Sequence, residues 1–231
     1  MRVRIRFAKV GRVRWTSHRD VARMWERALR RARVPLAYTE GFSPRPRLSF
    51  GLALPTGCES KAEYLDVTLR APVEASELPA TLSPLLPDGV DVVAAAALSP
   101  AAGSLQEEVT SCRWEIDVPH VGPERLCSLV AEVQNTTELP VTRERKGRLV
   151  SDDLRPSVLR LSSAGSPGSG GGLVAELATR PRGVRPVELA QVLGVEFGVA
   201  CRTHQWIERD GSRWEPLVAP ATSAGDLERA S

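Results

Sequence analysis

Paired cysteines are missing from this chain of 231 residues. Its four cysteines, Cys58, Cys112, Cys127 and Cys201, are scattered, no C-x-x-C motif occurs, and His18, His120 and His204 lie far apart. The spacing predicts no metal site, and thiols so placed fit a reducing, cytoplasmic setting. The C-x-x-x-C-x-x-C triplet of radical SAM proteins is also absent, so the expectation is that this chain binds no cofactor of its own. No apolar run approaches the ~18 residues of a membrane span. The opening "MRVRIRFAKVG" lacks the apolar segment of a signal peptide, and "GRVRWTS" lacks the second glycine and Lys-Ser/Thr pair of a phosphate-binding P-loop.

Acidic residues are scarce where basic ones are dense. Up to position 50 there are fourteen lysines and arginines against Asp20, Glu26 and Glu40, which makes that segment +11. With a net charge of +3 for the whole chain, the remainder is −8. Charge this polarised points to a polyanion, with nucleic acid the first candidate. The plainer alternative is that these arginines pair with acids of the second half.

The spacing predicts an α+β fold of two tandem ferredoxin-like (β-α-β-β-α-β) units. "RVRIRFAK" alternates arginine with Val3, Ile5 and Phe7, the period of a strand with one wet, basic face, and "RVRW" extends it. Ser17 and Asp20 have capping-box spacing and open a helix running to about Arg33, before Pro35. "RLSFGLAL", "AEYLDVTLR" and "VDVVAAAAL" read as strands, with a short helix in 74–86. The same order recurs later, giving a basic domain over 1–98, a linker "SPAAGS", a second domain over 105–215 and a flexible tail over 216–231.

On the helical wheel Val21, Met24, Trp25, Ala28, Leu29 and Ala32 share one arc, while Arg19, Arg23, Arg27 and Arg30 fall on the opposite one. After the helix, "YTEGFSPRPR" combines a glycine turn at Gly41 with prolines that stiffen an extended segment, holding Arg45 and Arg47 in a fixed array. Phe42 and Tyr38 either stack on unpaired bases or anchor the loop from beneath. His18, at the first helical position, is the candidate catalytic residue: a neutral imidazole there can act as a general base toward a ribose hydroxyl, with Arg23, Arg45 or Arg47 meeting phosphate charge. The competing role is to complete the helix cap. Cys58, in a polar turn, is the candidate reactive thiol. The basic hairpin around Arg143–Arg148 extends the cationic surface or is an ordinary solvated turn, and Arg180, Arg182 and Arg185, before a helix whose first turn starts at Pro186, make a credible anion site.

The run "SHRDVARMWERALRRARVPLAYTEGFSPRPRLSFGLALPTGCESKAEYLDV" resembles the bacterial radical-SAM-linked protein family, a domain of unknown function found beside or fused to cobalamin-binding-domain radical SAM proteins. The matching elements are Ser-His-x-Asp, Glu-Arg-Ala-Leu-Arg-Arg-Ala, Pro-x-Ala-Tyr, Gly-Phe-x-Pro, Leu-Pro-x-Gly and Glu-Tyr; "KGRLVSDDLRP" and "RPRGVRPVELAQVLG" resemble weaker family blocks. Where many relatives read Gly-Phe-Asn-Pro-His-Pro, this chain has Ser43 and Arg45. The resemblance implies a radical SAM partner that carries the iron–sulfur cluster, SAM and cobalamin. The strand order is also similar to that of RAMP-type CRISPR RNA-binding proteins, a likeness of fold alone.

Three functions follow. The first is an accessory that binds RNA, or presents a substrate to the partner, through a cationic groove lined by Arg19, Arg23, Arg27, Arg30, Tyr38, Phe42, Arg45 and Arg47. The second is a metal-independent RNA endonuclease of RAMP-like type using His18. The third is a module that only docks the radical SAM protein.

Overall fold

Val3, Ile5 and Phe7 alternate with arginine, and β1 (Arg2–Lys9) turns all three into the core. The computed structural model describes residues 1–145, 147–165 and 170–217. Residues 11–15 form a 3-10 turn rather than extending β1. Helix α1 (His18–Arg31) follows. The backbone N–H of Asp20 donates to Ser17 Oγ at 3.2 Å, and the Ser17 hydroxyl donates to the Asp20 carboxylate at 2.7 Å. One orphan N–H of the first turn is thereby satisfied. The helix stops two residues before Arg33, which takes the left-handed φ of 55° on the way to Pro35. Its apolar arc packs Val21, Trp25, Ala28 and Leu29 onto the sheet, with Phe7 and Trp25 edge to face at 4.9 Å.

The rest of the first half is β2 (Leu48–Phe50), β3 (Glu59–Thr68), α2 (Leu78–Leu82) and β4 (Val90–Ala97). The second half begins with α3 (Leu105–Glu108), β5 (Val109–Val118) and α4 (Pro123–Asn135). A separate hairpin of β6 (Pro140–Arg145) and β7 (Arg148–Asp153) comes next. Then follow β8 (Val158–Gly165), β9 (Gly171–Ala178), α5 (Pro186–Leu193), β10 (Ala200–Arg209) and β11 (Ser212–Trp214). Each half places its four principal strands in the order fourth, first, third, second: β4-β1-β3-β2 and β10-β5-β9-β8.

The two sets form one mixed sheet, because β10 runs parallel to β3 at Cys201–Glu59 and Arg202–Ser60. One edge of β3 is therefore shared: β2 takes residues 65–67 and β10 takes 59–60. That sharing explains why β2 is three residues long and not the eight of "RLSFGLAL". It also explains why β3 is buried along nearly its whole length. Leu65 and Val67 join the core under α1, whereas Ala62 and Tyr64 join the core of the second half.

The predicted wet face of β1 is corrected by the structure. Arg4 is 2% exposed. Its Nε and Nη2 donate to the Asp66 carboxylate at 2.7 and 2.8 Å, and Nη1 donates to the carbonyl of Pro216 at 3.0 Å. Arg6 pairs with Glu215 at 2.8 Å. The cause is the segment after β11: residues 215–217 close over this face, so Pro216 and Leu217 of the predicted tail are packed. The remainder of that tail, 218–231, and the loop residues 166–169 lie outside the described residues.

Candidate nucleic-acid interface

The arginines opposite the apolar arc of α1 have nowhere to go but solvent. Arg19, Arg23, Arg27 and Arg30 are all exposed. Arg23 reaches Asp20 at 3.4 Å and Arg30 reaches Glu26 at 3.6 Å, both on the exposed surface. Such pairs contribute ~0–1 kcal/mol and neutralise little. Arg19, Arg27, Arg31 and Arg33 make no ion pair with any described residue, nor do Arg12, Arg45 and Arg47. The expectation that these arginines pair with acids of the second half therefore holds for Arg6 with Glu215; Arg4 and Arg14 pair within the first half, with Asp66 and Glu59.

Residues 37–47 form a closed lip. Tyr38 bridges Pro46. The Thr39 N–H donates to the Arg45 carbonyl at 2.9 Å, the Arg45 N–H donates to Thr39 Oγ1 at 3.0 Å, and the Arg47 N–H donates to the Ala37 carbonyl at 2.9 Å. Two further bonds tie its base to Thr68. Gly41, with φ 116°, supplies the turn at the tip. Leu36 and Pro46 are the buried anchors; Phe42 is fully exposed and Tyr38 is 42% exposed. Arg45 and Arg47 both point from this braced segment into solvent.

A second exposed aromatic escapes the periodicity argument. Trp15, 64% exposed, closes the 3-10 turn, with the Arg14 guanidinium 5.4 Å from its ring centre. Its ring lies on Gly57, where a Cβ would stand 2.9 Å from the ring. A tryptophan next to a helix cap and flanked by arginines was the available sign; reading "RVRW" as a strand hid it. Trp15 sits at the Glu59 end of β3 and the lip at the Thr68 end. At ~3.3 Å per residue they lie about 30 Å apart along the strand, with α1 between them in sequence.

His18 is exposed and meets Phe50 edge-on at 5.1 Å. It makes no hydrogen bond to a described residue. Its neighbour across a narrow crevice, Lys9, is committed to the carbonyls of Thr16 and Arg14 at 3.0 and 3.4 Å, and burial pulls its pKa below the usual lysine value against the pull of Glu63. Arg45 and Arg47 precede β2, whereas Phe50 ends it. Cys58 is half-buried, and burial pushes its thiol up despite Arg202 and Lys9 nearby, which keeps it from being a thiolate at neutral pH. Of the later basic loops, Arg143 and Arg182 are committed, sharing Asp152 with Arg182 also holding Glu188, whereas Arg148, Arg180 and Arg185 are exposed.

Among the described residues no group of three or more His, Cys, Asp or Glu side chains is placed to hold a metal, and no helix is long and apolar enough to cross a membrane. No curated protein matches the chain. A family model does: residues 2–186, which include α1, the lip and the start of α5, match it, and the chain belongs to the family described as uncharacterized protein conserved in bacteria (DUF2344).

Proposed function

We propose that this chain is a non-catalytic accessory that binds RNA along the outer face of α1 and the lip, and presents it to a radical SAM partner. The first of two tandem ferredoxin-like units carries that surface. The observation behind the proposal is the set of seven exposed arginines without acid partners among the described residues, on α1, the turn before it and the segment after it, with a fully exposed Phe42 in the same lip. A surface serving only solubility would interleave acids; this one leaves its charge for phosphates. Exposed rings at both ends of α1 favour an unpaired strand, because stacking on a base gains ~1–3 kcal/mol. The partner rests on the resemblance to radical-SAM-linked proteins, and the cluster, SAM and cobalamin would be the partner's. His18, with no hydrogen-bonded acid or base beside it, lines the edge of this surface as a contact residue.

The test is a gel shift of an unstructured RNA by wild type and by Arg27→Glu/Arg45→Glu. Wild type is expected to retard the RNA intact and the variant to leave it free. No shift by wild type would overturn the RNA reading and leave the arginines to a protein partner. Cleavage that persists in EDTA and disappears in His18→Ala would make the chain a nuclease instead.

A further inference from the structure

Between the segment that links β2 to β3 and the start of α5 lies a cavity of about 700 Å³. It opens at the seam of the two halves, where β3, β10 and β5 run side by side. Sites for small organic ligands occupy ~300–1,000 Å³ and favour such junctions. The walls are largely apolar, with Leu54, Trp114, Leu177, Val184 and Val187 among the lining residues. The lining holds two charged side chains, Arg185 and Arg202, and no acid.

Arg202 is a prearranged floor. It is 2% exposed, its Nε and Nη2 donate to Glu63 Oε1 at 3.1 and 2.6 Å, and Nη2 also donates to the Leu52 carbonyl at 2.9 Å. Its guanidinium lies 5.5 Å from the Trp114 ring centre. Arg185 stands at the mouth with an exposed side chain, 3.8 Å from Glu188. That carboxylate is already taken by Arg182 at 2.9 Å and by the Arg185 backbone N–H at 2.9 Å, so the Arg185 charge is poorly matched. An apolar chamber whose floor arginine is already matched by Glu63 and whose rim carries a poorly matched cation selects for one chemistry.

We infer that this cavity binds a small organic anion with an apolar body, its acidic group facing Arg185 and its apolar part lying against Trp114, Leu54 and Leu177. The site uses no residue of α1 or the lip and stands independently of RNA binding.

Two fluorescent probes test it on the full chain: anilinonaphthalene sulfonate, an anion, and phenylnaphthylamine, its neutral counterpart. Saturable binding of one sulfonate per chain is expected. Trp introduced at the exposed lining residue, Ala53→Trp, should abolish binding of both probes. Arg185→Met should weaken the sulfonate about tenfold, the loss of a charge-assisted hydrogen bond, and leave the neutral amine unchanged. Alkylation read by mass spectrometry gives a check without mutation. At ten times its Kd the sulfonate should slow modification of Cys58, which lines the cavity, about tenfold by mass action, and leave the exposed Cys127 unaffected. Binding that does not saturate, that survives Ala53→Trp, or that leaves Cys58 unprotected would overturn the site. Equal weakening of both probes by Arg185→Met would overturn its preference for an anion.

Discussion

The arginines of the first fifty residues are two populations with different physics. Arg4 is sealed between Asp66 and Pro216, so truncating it strands a buried carboxylate. Arg4→Ala should cost about 3–5 kcal/mol in urea unfolding. Arg27→Ala, on the open face of α1, should stay within about 0.5 kcal/mol of wild type. Sequence alternation showed that Val3, Ile5 and Phe7 face inward; it held no sign that Glu215 and Pro216 would cover the arginines between them, because those partners are about two hundred residues away. His204 adds a pH dependence. Its ring stacks on Trp206 at 5.1 Å, and burial, opposed by Glu215 and helped by Arg6 and Arg113, pushes its pKa below the ordinary 6.5. The unfolded chain therefore takes the proton first as pH falls through 6.5, and stability is lost below that point. The drop in Tm between about pH 7.5 and about pH 5.5 should be smaller in His204→Gln than in wild type.

Elements were legible where local chemistry decides them. The Ser17 cap, the apolar arc of α1 and the glycine and prolines of the lip all act within a few residues, and the structure places them accordingly. Phe42 was ambiguous because exposure and anchoring share one sequence; the lip closes over Leu36 and Pro46 instead and leaves the ring outside. Phe42→Ala should weaken binding of single-stranded RNA by ~1–3 kcal/mol in an anisotropy titration, with Tm unchanged. At the other end, Gly57 has φ 89° and lies under Trp15. Gly57→Ala should cost about 1–3 kcal/mol of stability and displace the Trp15 ring, read as a shift in tryptophan emission.

At the scale of the whole molecule, pairing across the sequence escapes local reading. The repeated strand order showed in the sequence as two sets of elements, but the parallel contact of β10 with β3 joins residues about 140 apart and no periodicity announces it. That contact shortens β2, buries β3 on both faces and creates the cavity at the seam. The charge polarity was legible in outline. What folding decides is how much of it remains free: Arg4, Arg6 and Arg14 are consumed, while Arg12 and most arginines of α1 and the lip are left to solvent. The most direct measurement is therefore the slope of log K against log salt for a short single-stranded RNA between ~50 and ~200 mM. Wild type should show a slope of several, with each of Arg27→Gln and Arg45→Gln reducing it by about 0.7. Arg125→Gln, on α4 and paired with Glu132, should leave it unchanged. No binding at the lower salt, or a slope that Arg27→Gln and Arg45→Gln do not alter, would contradict the account.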